Sequence, residues 1–352
     1  MRARVAIFIC VITISLGLLI WRYESARHAG KAPASEAEAT PADGEGASPA
    51  SLAGPTKVYA HNLMLRKGPN FRVYVRWLRG EMVRTQKDVN PSFDDPDSFV
   101  LDIKAGVLRA NMGDIGNFLN SGLEKSPLTD IKLSGDGNQV KLSGTLHKVV
   151  PLPIELTGTI STVSNNRIQL HVTKLNVLKI PLKGLLGGLH IDVSDLFHPQ
   201  NMPGVQVSGN DIFFDTQTLL PPPHMRGQLT SVRIVNPDLE EVYGSARDEV
   251  TRVEQWRNFL RLREGTIDFG KLTMRHVDLI MIDVSGDAWF DLDLTHYQEQ
   301  LVNGYTRMTP SAGLQIFMPD LSTIPRNKSN QNIGIQWMKN RNLPPPPDVT
   351  PK

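Results

Sequence analysis

The chain has 352 residues, of which 21% are charged and 7% aromatic, and its formal net charge is +2. This balance excludes a nucleic-acid binder that depends on neutralising phosphates, and the few aromatic side chains argue against a platform for stacking bases. Cys10 is the only cysteine. The rest of the chain therefore has no disulfide, no cysteine zinc site and no thiol nucleophile.

The N-terminus carries a membrane signal. Arg2 and Arg4 precede a run of 17 almost wholly apolar residues, 5–21. A spanning helix needs roughly 17–25 such residues, and no small-residue cleavage site follows. We expect residues 1–25 to be an uncleaved signal anchor, with a cleaved signal as the alternative. The short basic N-terminus favours a bacterial inner-membrane protein with one span, whose bulk is periplasmic or extracellular.

Composition then divides the rest of the chain. Residues 26–56 are mostly Ala, Pro, Gly, Ser and Glu, which predicts a disordered linker. Residues 339–352 form a proline-rich tail. Between them, 57–338 predict one β-rich periplasmic domain, with two halves, 57–215 and 216–338, as the alternative.

The first strand signal combines apolar and basic residues. Phe71, Val73, Val75 and Trp77 alternate with polar or basic residues, which predicts a strand with these four on one face. The basic residues opposite them could contact anionic lipid head groups, or they could form an ordinary solvated strand face.

A meander follows in the middle of the chain. Residues 99–110 alternate as a strand, and 110–126 have apolar side chains at spacings of three and four, which predicts a helix. The segment 129–150 contains Lys-Leu-Ser-Gly twice around a polar turn, which predicts a β-hairpin. Strands are predicted at 152–163 and 167–177. This alternation with a period of two residues indicates an antiparallel sheet with one apolar face and one solvent-exposed face.

The C-terminal half predicts a second helix and more strands. Residues 245–264 begin with the possible N-cap Ser245 and carry an apolar stripe of Val250, Val253, Trp256 and Leu260. Residues 265–294 alternate as strands almost throughout.

Signals of chemistry are sparse. The chain contains no GxSxG elbow, P-loop, HExxH or dinucleotide glycine fingerprint. We therefore expect no catalytic residue, no metal site and no cofactor. A series of carboxylates in the strand region indicates a solvent face more readily than acid–base catalysis: Asp278, Asp283, Asp287, Asp291 and Asp293.

One resemblance rests on the order of the elements from Phe99 to Leu196. Five segments follow one another: the strand FVLDIKAGVLRA, the helix MGDIGNFLNSGL, the hairpin KLSGDGNQVKLSGTL, the strand PLPIELTGTI and the run RIQLHVTKLNVLKIPLKGLLGGL. This order resembles the LmeA-like proteins of actinobacterial cell envelopes, which belong with the tubular lipid-binding (BPI-like) folds. The resemblance implies a long helix across a highly curved antiparallel sheet with lipid between them. It also implies an envelope location and, for some members, phospholipase activity.

The sequence thus predicts an α+β, β-rich fold in which one or two helices pack on the apolar face of a long curved antiparallel sheet. Membrane lipids are the expected partners, with acyl chains held in an apolar groove, and nucleic acid is not expected. The residues predicted to line the groove are apolar side chains that a dry core would use equally well: Met112, Ile115, Phe118, Leu119, Leu123, Leu133, Val140, Leu142, Ile154, Leu156 and Leu170.

Two alternatives remain open. One is a non-catalytic scaffold that binds envelope protein partners through its sheet edges. The other is a phospholipase-like hydrolase, for which His190, His276 and Asp278 are the first residues to test.

Overall fold

Two β-sheets form the body of the molecule. The computed structural model describes residues 54–66, 72–122, 127–147, 150–177, 193, 196, 204–219 and 222–324. The larger sheet has eleven strands: β1 (Thr56–Arg66), β2 (Arg72–Arg84), β3 (Phe99–Asn111), β10 (His224–Gly227), β11 (Leu229–Val235), β12 (Asp238–Tyr243), β13 (Phe259–Phe269), β14 (Leu272–Asp283), β15 (Phe290–Asp293), β16 (Tyr305–Met308) and β17 (Leu314–Met318). The smaller sheet has six: β4 (Leu128–Asp136), β5 (Gln139–His147), β6 (Pro151–Val163), β7 (Arg167–Val177), β8 (Val205–Ser208) and β9 (Asp211–Phe214).

Helices are few and short in the described residues. They are α1 (Met112–Gly122), α2 (Thr216–Leu219) and α3 (Tyr297–Val302). The expectation of a β-rich chain with few helices is therefore confirmed.

The large sheet is mixed and draws on distant parts of the chain. Its order is β11-β12-β3-β2-β1-β13-β14-β17-β16, with β10 beside β3 and β15 beside β1. Most neighbours are antiparallel, whereas β14–β17, β3–β10 and β1–β15 are parallel. Strands on both sides of residue 215 pair within it, because β1 lies between β2 and β13.

The small sheet follows the predicted meander. Strands β4 to β7 pair in sequence order, and all of these pairs are antiparallel. The repeated Lys-Leu-Ser-Gly segments form the β4–β5 hairpin, which turns at Gly137 and Asn138, and Gly137 has a left-handed φ of 55°. The apolar sides of these strands are buried, and on the outer side Lys141 forms an ion pair with Glu155. The hairpin tip bridges to Ile234 of β11, so the two sheets meet there.

The large sheet is buried on both faces at its centre. One face shares a core with the small sheet, and a second cluster covers the other face. A β-bulge shifts the β2–β3 register between Val75 and Trp77. Val73 and Val75 therefore face the shared core, whereas Trp77 belongs to the outer cluster. The prediction that Trp77 lies on the same face as Val73 and Val75 is wrong, because a bulge reverses the alternation.

The predicted helix at 245–264 is also wrong. Residues 245–258 form turns and bends, and β13 begins at Phe259. The apolar stripe is split between two cores: Val250 and Trp256 cover the outer face of the large sheet, whereas Leu260 packs in the shared core. For residues 259–264, pairing of β13 with both β1 and β14 supplies the backbone hydrogen bonds that a helix would have supplied.

No helix among the described residues is long and apolar enough to cross a bilayer. The predicted anchor (5–21), most of the linker (26–56), the tail (339–352), Leu123 and His190 lie outside the described residues.

Asp248 organises the turns that replace the predicted helix. Its carboxylate accepts hydrogen bonds from the backbone N–H groups of Val250 and Thr251, at 2.8 and 2.9 Å, and from the Thr251 hydroxyl. His61 approaches the same carboxylate at 3.1 Å. Burial alone would raise the pKa of Asp248, but these hydrogen bonds outweigh it and hold the pKa below its ordinary value.

We predict that Asp248→Ala lowers the free energy of unfolding by about 2 kcal/mol at neutral pH, the order of a few hydrogen bonds to a charged group. A lowered pKa in the folded state stabilises the fold above the pKa of an unfolded Asp, and this contribution is lost as the pH falls through the folded pKa. The difference between wild type and variant should therefore shrink below about pH 4. Urea unfolding at several pH values measures it, with the exposed Asp88→Ala as control. Equal stability of both variants at neutral pH would contradict this role.

Candidate functional site

An apolar cavity lies where α1, the small sheet and the edge of the large sheet meet. Its volume is about 150 Å³ and it is partly open to solvent. The lining comes from β2, β3, α1, β4 to β7, β9, α2, β10 and β12: Val73, Leu108, Arg109, Ala110, Met112, Ile115, Phe118, Leu119, Leu133, Val140, Leu142, Ile160, Ile168, Leu170, Phe214, Thr216, Leu219, Met225, Leu239 and Glu241.

Most residues predicted for the lipid groove line this cavity. They are Met112, Ile115, Phe118, Leu119, Leu133, Val140, Leu142 and Leu170. Ile154 and Leu156 are fully buried in the shared core and do not line the cavity. Whether lipid occupies the cavity stays a prediction.

Sequence reasoning missed the far wall. Val73, Leu108, Phe214, Met225 and Leu239 line the cavity from β2, β3, β9, β10 and β12. Alternation along these strands predicts an apolar side, but no local signal indicates that strands so far apart in sequence meet at one cavity.

Helix α1 is fixed to both sheets by hydrogen bonds. Asn111 caps its start, because its Oδ1 accepts a hydrogen bond of 2.9 Å from the Gly113 N–H. Near its end, the Asn120 amide donates to the Ile131 carbonyl at 3.0 Å and accepts from the Ile131 N–H at 2.8 Å. These last two bonds satisfy the β4 backbone where a bulge interrupts its pairing with β5.

Close packing reinforces this attachment. A Cβ placed on Gly116 would lie 3.1 Å from the Ile131 carbonyl oxygen, so the helix backbone approaches β4 more closely than a side chain allows comfortably. On the other side, Asp114 in the first turn forms an ion pair with Arg72 of β2 at 2.8 Å. The helix therefore has a fixed position over the cavity.

The basic side chain at the wall is already paired. Arg109 contacts Glu240 at 2.7 Å, and Arg233 contacts the other oxygen of Glu240 at 2.7 Å. Burial alone would raise the pKa of Glu240, but hydrogen bonds from both arginines hold that pKa below its ordinary value. Arg109 is thus engaged by Glu240 and is not a free cation for an anionic ligand.

Glu241 has different surroundings from Glu240. It lies opposite Leu108 across the β12–β3 pair and lines the cavity. The Tyr243 hydroxyl donates a hydrogen bond of 2.8 Å to its Oε2, and among the described residues it forms no ion pair. Burial raises the pKa of the Glu241 carboxyl, and the Tyr243 hydrogen bond offsets only part of the rise. Burial and the neighbouring Glu241 also raise the pKa of Tyr243 well above its ordinary value.

A second polar cluster lies elsewhere, around the ends of β14 and β17. Asp320 is only 3% exposed, and burial raises its pKa to about 7, with Asp283, Asp287 and Asp291 adding to the rise. Asp291 pairs with Arg66, and Asp283 accepts a hydrogen bond from Asn258. Across the described ranges, no three His, Cys, Asp or Glu side chains converge on a point where a metal ion could bind.

Of the residues named for a hydrolase, the structure describes Asp278 and His276. Asp278 of β14 pairs with Arg261, and His276 is exposed two residues earlier on the same strand. Neither of them lines the cavity.

Comparison with protein-family models, with curated proteins and with solved structures finds no match. The geometry of the cavity and the charges around it are therefore the basis for a function.

We predict that benzene binds the cavity. A cavity of similar size and apolar lining holds benzene in another protein. Saturating benzene should raise the melting temperature by about 2–4 °C for each kcal/mol that its binding adds to the free energy of unfolding. Val140→Phe should fill the space and abolish the shift, whereas Val150→Phe, at an exposed position, should keep it. A shift that survives in Val140→Phe would place the ligand elsewhere.

We predict a pH dependence that is specific to Asp320. Its raised pKa means that the folded protein holds this proton more tightly than the unfolded chain. The resulting stability is complete below about pH 4 and is lost as the pH rises to about 7. The neutral variant Asp320→Asn should remove this decline, as measured by urea unfolding between pH 4.5 and 8. The exposed Asp95→Asn is the control. An unchanged slope in Asp320→Asn would contradict the assignment.

Proposed function

We propose that this chain is a membrane-anchored cell-envelope protein that binds the acyl chain of a lipid in the cavity beneath α1. The observation that carries the proposal is the lining, which is apolar except for Arg109, Thr216 and Glu241. An apolar cavity bounded by a helix and two sheets is the kind of site that takes a hydrocarbon.

The volume limits how much of a chain the cavity holds. A space of about 150 Å³ accommodates an apolar group of about the size of benzene. At about 0.8 kcal/mol for each buried methylene, five methylenes contribute about 4 kcal/mol, which corresponds to millimolar affinity. Tight binding therefore requires the rest of the acyl chain to continue through the open side of the cavity, along α1.

Side chains around the mouth suit such an arrangement. Ile115 and Phe118 of α1 are half-buried, and both line the cavity. They can cover a chain that leaves the cavity without losing their own packing.

The finer architecture and the location are part of the same proposal. For residues 99–196, the resemblance to tubular lipid-binding proteins implies a long helix across a highly curved antiparallel sheet with lipid between them. The helix α1 has only 11 residues, but an apolar space does lie between it and the strands. A predicted anchor at 5–21 and a linker at 26–56 would hold this domain near a bilayer, where acyl chains are abundant.

A cavity favours lipid binding over the scaffold alternative, which requires a solid core. The hydrolase alternative receives no support from His276 or Asp278, because neither lines the cavity.

Photo-crosslinking tests the proposal in the full-length protein. We predict that an acyl lipid with a diazirine in its hydrocarbon chain, supplied to membranes that contain the protein, crosslinks to peptides covering α1 and β5. Mass spectrometry of the digested protein identifies these peptides.

A charge at the mouth should block this labelling. Ile115→Glu should reduce crosslinking to α1 and β5 by at least ten-fold, because a carboxylate opposes hydrocarbon in the cavity while its half-buried position lets the charge reach water. Leu272→Glu, at an exposed position on β14, should leave labelling unchanged. Crosslinks confined to other surfaces, or insensitive to Ile115→Glu, would reject acyl-chain binding here and favour a scaffold.

A further inference from the structure

Glu241 is an unusual residue for the wall of a hydrocarbon site. It places a carboxyl group among leucine, isoleucine and phenylalanine side chains, where a purely apolar residue would bind an acyl chain better. Glu241 is partly exposed at the cavity. Hydrocarbon that filled the cavity would remove its remaining contact with water, which is costly unless a polar atom of the ligand replaces that contact.

The hydrogen bonds of Glu241 leave one oxygen free to make that contact. Oε2 accepts the hydrogen bond of 2.8 Å from the Tyr243 hydroxyl. In the described part of the chain, Oε1 receives no hydrogen bond, and the residue faces the cavity. Thr216, which lies against the Tyr243 hydroxyl, lines the same part of the wall. The three side chains form a small polar patch, the Glu241 patch, in an otherwise apolar wall.

Charge decides which head groups this patch accepts. The guanidinium of Arg109 is bound by Glu240, so among the described lining residues no free cation balances a carboxylate or phosphate. An anionic head group would therefore lose its hydration beside an acidic side chain. An ammonium group would form an ion pair with Glu241, but only after both charges lose water, at several kcal/mol for each ion.

An uncharged hydroxyl group fits best. It can donate to Oε1 of Glu241 when the carboxyl is ionised, or accept from the carboxyl when it is protonated. The raised pKa of Glu241 agrees with surroundings that favour the uncharged form.

We propose that the cavity selects an acyl or alkyl lipid whose polar end is an uncharged hydroxyl group, and that Glu241, held by Tyr243, binds that hydroxyl. This inference rests on the proposed function, because it assigns the head group of the ligand whose hydrocarbon occupies the cavity.

Four photoreactive probes test the assignment. They share one diazirine-bearing alkyl chain and end in a hydroxyl, a carboxylate, a phosphate monoester or a primary ammonium group. Each is added to nanodiscs that contain the full-length protein. Crosslinking to the α1 and β5 peptides is measured and divided by the amount of probe incorporated in the nanodisc.

Two substitutions separate hydrogen bonding from charge. Glu241→Leu removes the polar group, and labelling by the hydroxyl probe should fall about 2- to 12-fold, the factor for one net hydrogen bond. Glu241→Gln keeps a neutral hydrogen-bonding group of the same shape, and labelling should stay within about 2-fold. Glu155→Leu, on the outer side of the small sheet, is the matched control and should change nothing. Thermal unfolding checks that each variant is folded.

The outcomes are distinguishable. A preference of the wild-type protein for the hydroxyl probe, lost in Glu241→Leu and kept in Glu241→Gln, supports the inference. Preference for the ammonium probe, abolished by Glu241→Gln, overturns it in favour of an ion pair. Equal labelling by all four probes overturns head-group selection and leaves acyl binding intact. Absence of labelling at α1 and β5 by every probe rejects the proposed function itself. If Glu241→Leu does not fold, the probe preference of the wild-type protein and the labelling of Glu241→Gln still distinguish hydrogen bonding from an ion pair.

Discussion

The paired hydrogen bonds between the Asn120 amide and the Ile131 main chain are the constraint on which the site depends. They join the last part of α1 to the bulge in β4, where the strand backbone lacks its regular partners. The cap at Asn111 fixes the other end of the helix to β3. With both ends held and its backbone close to β4 at Gly116, α1 has a fixed position at one side of the cavity. Polar contacts therefore fix the helix at both of its ends, next to the apolar lining of the cavity.

Strand alternation sorts the acidic residues of β12 into two environments. Glu240 points to the side where Arg109 and Arg233 bind it, and these arginines keep its pKa low. Glu241, one residue later, points to the cavity, where it meets the Tyr243 hydroxyl and hydrocarbon. A shift of one residue in the β12–β3 register would exchange these positions. The polar character of the cavity wall therefore depends on the register between β12 and β3, which belong to the large sheet.

The local pattern was sufficient in the small sheet, where β4 to β7 pair in the order of the sequence. The hairpin around Gly137, the strand at 167–177 and the apolar side of α1 were all predictable, because their partners lie within a few tens of residues. The pattern failed at a bulge and at a distant pairing. Trp77 changes face at a bulge, and the stripe from Val250 to Leu260 divides between two cores because β13 is drawn into the large sheet. Glu241 carried no local signal, since its role depends on what α1 covers some 120 residues away in sequence.

The place of β1 inside the large sheet has a consequence for synthesis of the chain. One neighbour of β1 is β2, which follows directly, but the other is β13, whose ion pair from Glu264 to Lys57 joins residues 207 positions apart. As the chain leaves the ribosome, strands β4 to β7 can pair as soon as each is made. The large sheet cannot close until β13 emerges, and until then one edge of β1 has unpaired backbone groups. Strands β1 to β3, α1 and β4 to β7 would therefore gain structure before the large sheet closes, and the cavity wall from β10 and β12 would be added later.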